Sequence, residues 1–212
     1  MSPQLRSVEE VGLEMIQKKS RPYLTTIPDF FEPMKQVKRA FAQLTNIAEP
    51  DRVALIPAAS YGLATVAKNV KLRPGQKIII VGEQFPSNYY SWKRLADEQE
   101  GVILVISAPE SATRAQDWNQ EILAAIDERT AVVTLPHVHW ADGTKFDLQA
   151  IRSASQSVGA LLVIDGTQSV GALPFDVAQL QPDALIVAGY KWLLGPYAQG
   201  VAYYGPHFDD GI

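Results

Sequence analysis

The sequence predicts a doubly wound α/β fold: a mainly parallel, seven-stranded sheet with helices on both faces. Three observations predict it. Seven short β-prone runs follow residue 50, at 52–56, 77–81, 102–106, 131–135, 160–164, 184–188 and 200–204. Most of them are apolar throughout instead of alternating, the pattern of strands covered on both faces. The segments between them, at 61–70, 90–98, 119–126 and 148–157, are helical in pattern, and strands alternating with helices imply right-handed parallel crossovers. The last two runs are separated only by residues 189–199, so the final strand is expected to run antiparallel to its neighbour.

Taken in order, the chain opens with a helical segment over residues 1–50. Leu5, Val8, Val11, Met15 and Ile16 follow the three-four spacing of one helix face. Ser7 and Glu10 have the spacing of a capping box. Pro22, Pro28 and Pro33 punctuate a loop, and a second amphipathic stretch covers 34–44. Packing is the expected role of both helices. Residues 51–212 form the α/β domain, with no internal repeat and no low-complexity tract.

Composition narrows the function. The 212 residues carry 19 basic and 23 acidic side chains, a formal charge of −4, which argues against a polyanion-binding surface and so against nucleic acid as partner. With no cysteine there is no disulfide, thiolate metal site or catalytic thiol to invoke. Apolar runs of five or six residues are too short to cross a bilayer. The polar, acidic N-terminus is unlike a signal or transit peptide, and a cytoplasmic protein without membrane contact is expected.

In open α/β sheets ligands sit beyond the carboxyl ends of the strands, so the residues after each run matter most. The first run is followed by Pro57-Ala-Ala-Ser-Tyr-Gly62, small residues opening a helix. That turn suits an anion, through free N–H groups and the helix dipole, as well as an ordinary N-cap. No glycine fingerprint of a nicotinamide-binding domain and no Walker A sequence is present. The second run leads into Phe85-Pro-Ser-Asn-Tyr-Tyr-Ser-Trp92, aromatic residues fit for core packing or for stacking on a flat ring. After the fourth run, His137 and His139 stand two apart, but no third ligand is near in sequence, and a polar pocket lining with an Asp142-Gly143 turn is favoured over a metal. Asp165 ends the fifth run, where an acidic group is costly unless a cation or hydrogen-bond donors meet it. It could also cap a short helix. Lys191 follows the sixth run inside an apolar, aromatic stretch. It either snorkels to water or is a desolvated amine suited to Schiff-base chemistry.

Together these pieces resemble one family. The stretch Val163-Ile-Asp-Gly-Thr-Gln-Ser-Val-Gly171, followed by Ala188-Gly-Tyr-Lys-Trp-Leu-Leu-Gly-Pro196, is similar to the pyridoxal-phosphate signature of class V aminotransferases. That family also includes cysteine desulfurases, kynureninases and isopenicillin-N epimerases, on the fold of aspartate aminotransferase. The resemblance runs from about residue 20 to the end and is strongest in 160–205. It implies that Lys191 forms a Schiff base with pyridoxal 5'-phosphate and then serves as the base at the substrate's Cα. By the same resemblance, Asp165 pairs with the pyridine nitrogen and keeps the ring an electron sink, and Gln168 bonds its phenolic oxygen. Ala59, Ser60 and Tyr61 match the phosphate turn, Phe85 the stacking ring, and His139 and Trp140 the cofactor edge and substrate pocket. Tyr190 stands where desulfurases carry histidine and still offers a hydroxyl, while Ala188 stands where they carry a phosphate-binding serine and offers nothing.

Family members continue into a small C-terminal domain that supplies the carboxylate-binding arginine and, from the partner, part of the phosphate site. The present sequence therefore resembles the large domain without the small one, with the short segment before the first helix also clipped. The resemblance implies an enzyme acting on an amino acid, with an aminotransferase favoured over a desulfurase, other lyase or epimerase, and with a homodimer expected. A non-catalytic cofactor-binding or dimerisation module is the alternative.

Overall fold

The structure, a computed structural model, describes residues 2–211. Seven strands form one sheet: β1 (Val53–Ile56), β2 (Lys77–Val81), β3 (Val102–Ile106), β4 (Thr130–Pro136), β5 (Leu161–Asp165), β6 (Ala184–Ala188) and β7 (Gly200–Tyr204). Their order across the sheet is β1-β7-β6-β5-β4-β2-β3. β7 pairs antiparallel with both β1 and β6, and the other neighbours are parallel. Because β1 is antiparallel to β7, it runs in the same direction as β6. Six carboxyl ends therefore gather along one rim. The seven-stranded α/β fold and its reversed last strand agree with the sequence pattern.

The all-apolar strands are explained by the two cores. In β2, Ile79 and Val81 face one helix layer, while Ile78 and Ile80 face the other. β5 and β6 divide likewise, with Leu162, Ile164, Leu185 and Val187 on the first side and Val163, Ala184 and Ile186 on the second. The first layer holds α2 (Glu32–Leu44), α5 (Arg114–Ala125), α6 (Leu148–Ser157) and the short α7 (Val177–Leu180), which contribute Phe41, Trp118, Ile151 and Leu180 among others. The second holds α3 (Ala59–Lys68) and α4 (Ser87–Glu98), with Leu63, Val66, Trp92 and Leu95. Each such side chain, fully buried, contributes about 1.5–3 kcal/mol. β3 departs from the double-covered pattern: it is an edge strand, and Val102 and Val105 are exposed.

The N-terminal segment corrects two expectations. Helix α1 (Arg6–Lys19) begins at Arg6, with Leu5 at the cap position and no side-chain cap bond. Ser7 thus falls inside the first turn, and the expected Ser7–Glu10 box does not form. A capping box occurs instead at Thr26 and Asp29, where Asp29 accepts from the Thr26 N–H (2.7 Å) and hydroxyl (2.8 Å). Nor does α1 pack as expected. None of its residues is buried, and Val11, Met15 and Ile16 remain exposed. Among the described residues no helix is long and apolar enough to cross a membrane.

Candidate active site

The site is built at the rim where β5 and β6 end side by side. Asp165 closes β5 and is buried. Its carboxylate accepts the Thr167 N–H at 3.0 Å. The Thr167 hydroxyl accepts the N–H of Ala188 at 3.0 Å and so ties the end of β6 to the turn that follows β5. Beyond Ala188 the chain makes the Lys191 turn. Gly189 N–H donates to Gln199 O, Gly195 N–H to Gly189 O, and Leu194 N–H to Lys191 O. The loop leans on Gly171, whose φ of +98° is open to glycine and whose missing Cβ would lie 2.4 Å from the carbonyl oxygen of Trp192.

A cavity of about 200 Å³ opens over these residues. Ala59 and Ser60 border it from the start of α3, Phe85 from the end of β2, and Trp140 from the chain beyond β4. Asp165, Gln168, Tyr190 and Lys191 complete the expected set. Asp165 and Lys191 are the only charged side chains among its lining residues. Burial pushes the Asp165 carboxyl above its ordinary value, opposed by the bonds from Thr167 and by the charge of Lys191. Burial likewise pulls the Lys191 amine down, opposed by Asp165. The Lys191 Nζ lies 5.6 Å from the centroid of the Phe85 ring. Trp140 meets that ring edge-on at 5.6 Å and is fixed by donating its indole N–H to Glu83 O at 2.8 Å.

Two expected residues lie elsewhere. Tyr61 is exposed, its side chain does not line the cavity, and its N–H already donates to Ala58 O at 3.0 Å. Of the three residues, only Ala59 and Ser60 border the cavity. His139 is buried behind the rim, against Trp118 at 5.2 Å, with Nε2 donating to Gly82 O at 3.2 Å. It steadies the turn that carries Phe85, and does not face the cavity. The chain leaving β4 turns His137 and His139 inward toward the α5–α6 layer, where neither reaches the rim. Among the described residues no cluster of three or more His, Cys, Asp or Glu could hold a metal ion.

The buried His137 gives a pH test of this packing. Burial, helped by the charge of Lys145, holds its imidazole down at about 4. The folded chain therefore binds fewer protons than the unfolded chain between about pH 4 and 6.5, and stability is lost as pH falls through that window. Asp165, whose carboxyl is raised, acts in the opposite sense, so a difference between variants isolates the histidine. Urea unfolding at pH 7 and pH 4.5 should show the parent chain losing about 2 kcal/mol more than His137→Gln. Equal losses would contradict a buried neutral imidazole.

Sequence reasoning passed over Thr167, Gln84, Ser87, Pro136 and Ala58, all of which line the cavity. Thr167 stood inside the quoted Asp-Gly-Thr-Gln stretch, and its position two residues after Asp165 was the available signal. Gln84 had none, because what marks it is tertiary: its amide Nε2 is buried without a hydrogen-bond partner. On the far side of Lys191, Ser2 and Pro3 stand beside Gln168 and Trp192, and the Ser2 hydroxyl donates to the carbonyls of Tyr190 and Lys191. Residues before α1 therefore lie beside the Lys191 turn.

A carboxylate and a lysine thus stand just beyond adjacent strands on one rim of the doubly wound sheet. The aminotransferase class-V family matches residues 18–209, and the chain belongs to that family. It is 30% identical over 179 residues to the uncharacterized aminotransferase YcbU of Bacillus subtilis, which covers 84% of this chain and 46% of that protein. It is 27% identical over 206 residues to a probable cysteine desulfurase of Methanothermobacter thermautotrophicus, covering 95% and 49%. A solved structure of a C-DES variant with glycine covalently linked to its PLP cofactor superposes with a TM-score of 0.86 at 18% identity, covering 99% of this chain and 56% of that one. The chain spans about half the length of these relatives.

Pyridoxal phosphate is the cofactor of this family, and the residues present fit it. The buried carboxylate of Asp165 lacks a full cationic partner, as a protonated pyridine nitrogen would be. The N-cap Ala58 makes no side-chain bond, and the first N–H groups of α3 at Ala59 and Ser60 have no backbone acceptor among the described residues. The orphaned Gln84 amide supplies a further donor within the cavity.

Proposed function

We propose that this chain is the cofactor-binding large domain, over residues 51–212, of a pyridoxal-phosphate-dependent enzyme acting on an amino acid. The observation that carries the proposal is the pairing of Asp165 and Lys191, the two charged groups of one cavity, at the ends of neighbouring strands. Pyridoxal phosphate, when bound, supplies an aldehyde carbon and an electron-withdrawing ring that acidify the bonds at an amino acid's Cα. Lys191 is the group that binds the aldehyde and later moves the proton at Cα. Burial lowers its pKa, so its neutral, basic form is more abundant near neutrality than that of a surface lysine. Asp165 holds the positive charge of the ring nitrogen, and the bonds from Thr167 aim its carboxylate and favour the ionised form against burial. Ser60 and the opening turn of α3 take the phosphate. Gln168 orients the phenolic oxygen, Phe85 backs the ring and Trp140 bounds the substrate's side.

Transamination is favoured over persulfide-forming desulfuration. Amino transfer needs a base at Cα, which Lys191 provides, and the 30% identical relative of Bacillus subtilis is named as an aminotransferase; desulfurase, other lyase and epimerase chemistry are the alternatives. A homodimer is part of the reading. The unpartnered apolar side chains of α1 and the following turns, such as Val11, Ile16, Ile27 and Phe30, are of the kind an isologous interface covers.

Hydrogen exchange tests the reading. In D₂O with pyridoxal phosphate, the chain should exchange the α-proton of at least one amino acid from a standard panel. Lys191→Ala should slow that exchange by about 10²–10⁴-fold, the usual worth of a positioned base. Cofactor binding without any exchange would reduce the chain to a binding module, and equal exchange in the variant would remove Lys191 from the chemistry.

A further inference from the structure

The turn between β2 and α4 carries Phe85, and residues of β4 and of the chain beyond it hold that turn at both ends. His139 and Trp140 hold its start, at the carbonyl oxygens of Gly82 and Glu83. Its end is held from the core. The Thr134 hydroxyl on β4 donates to Asn88 Oδ1 at 2.8 Å, and the same oxygen accepts the indole N–H of Trp92 at 2.9 Å. An indole nitrogen only donates, so the carboxamide must present its oxygen there. Asn88, Thr134 and Trp92 are all fully buried.

As local structure this arrangement is costly. Asn88 Nδ2 is buried without a hydrogen-bond partner, a cost that an apolar side chain of the same shape would avoid. Asn88 also leaves helical geometry inside α4, with φ −96° and ψ 19°. At the other end of the turn, Glu83 sits at φ +50°, in the left-handed region that strains a residue with a Cβ. Backbone strain of this kind persists only where the surroundings over-determine it. Between the two ends stand Gln84, Phe85 and Ser87, three residues that line the cofactor cavity. The Asn88 N–H donates directly to Phe85 O at 2.9 Å.

We propose that Asn88, tied to β4 by Thr134, is a positioning residue of the cofactor site. It fixes the 82–88 turn, and with it Phe85, before any ligand arrives. Neither Asn88 nor Thr134 lines the cavity, and both act through the turn. A flat ring then meets a platform already in place, and binding does not have to order it. That the ring is pyridoxal phosphate rests on the proposed function, whereas the tether itself does not depend on that reading.

The test uses the full 212-residue chain with Thr134→Val and Thr134→Ser. Valine keeps the shape of threonine and loses the hydroxyl, while serine keeps the hydroxyl and loses a methyl. Hydrogen exchange of the Asn88 amide is followed by NMR without cofactor, and pyridoxal phosphate is then titrated by its absorbance. Thr134→Val should speed exchange at Asn88 by about tenfold, leave the β2 amides protected, and raise the apparent Kd for the cofactor by about three- to tenfold. Thr134→Ser should stay within about twofold of the parent in both measurements. A packing role alone predicts the reverse order, because serine leaves a gap in the core and valine does not. Unchanged exchange in Thr134→Val, an equal disturbance by Thr134→Ser, or loss of protection throughout β2 would overturn the proposal. So would faster exchange with undiminished cofactor binding. A parent chain that binds no pyridoxal phosphate would defeat the proposed function, and the exchange comparison would still decide the tether.

Discussion

Asparagine in place of Asp165 is expected to stabilise the cofactor-free chain while weakening its hold on pyridoxal phosphate. Asp165 is a buried carboxylate whose pKa burial has raised. For such a group the folded state binds the proton more tightly than the unfolded state. Stability falls as pH rises from the ordinary carboxylate range through the raised value. Asp165→Asn removes the desolvated charge but keeps an oxygen for the Thr167 N–H. The chain should gain stability at pH 7, a gain that shrinks toward pH 4. Binding of the cofactor loses its buried charge partner and should weaken by about 2 kcal/mol or more, some thirtyfold. Lys191 also loses the neighbour that supports its charge, so amine capture should shift to lower pH. Chemical denaturation without cofactor and fluorescence titration with it measure the two effects. A variant that is destabilised without cofactor, or that binds it unchanged, would contradict the assignment of Asp165.

Gly171→Ala should disable the site without removing any group that touches the cofactor. A methyl at this position would stand 2.4 Å from the carbonyl oxygen of Trp192 and 2.8 Å from its carbon, so backbone must move. The φ of +98° adds strain for any residue with a Cβ, on the order of 1–3 kcal/mol. The atoms that yield belong to the residue after Lys191, and the loop between β6 and β7 carries the amine with them. Cofactor capture at a fixed concentration should fall by at least about tenfold, since a displacement near 1 Å at a reacting group costs about a hundredfold in rate. Circular dichroism should keep the α/β signature, because both cores lie beneath the rim. Normal capture by Gly171→Ala would mean that the loop is not held in the way described.

The strands were legible in the sequence because burial on both faces leaves an uninterrupted apolar run, as in β2 and β6. The carboxyl-end rule then pointed to residues that the fold does bring together: Ser60, Phe85, Asp165, Gln168 and Lys191. What failed was orientation. His139 follows the same strand as Trp140, yet adjacent residues of an extended segment point to opposite sides, and only the indole faces the cavity. Tyr61 lies one position too far along α3, where its N–H already has an acceptor. The apolar spacing of α1 announced a helix correctly, but spacing says nothing of what the helix packs against, and here its apolar face is bare. Gln84 was silent because an unpartnered amide is a property of its surroundings. Each of these depends on neighbours that only the tertiary structure supplies.

The central claim is that Lys191 is the amine this cavity presents to pyridoxal phosphate. It is tested most directly by incubating the 212-residue chain with the cofactor near neutral pH, reducing with borohydride, and locating the added mass by peptide mapping. The account predicts one dominant adduct, on the peptide containing Lys191, accompanied by a visible absorption band before reduction and absent from Lys191→Ala. Adducts scattered over the surface lysines, or unchanged labelling in Lys191→Ala, would contradict it.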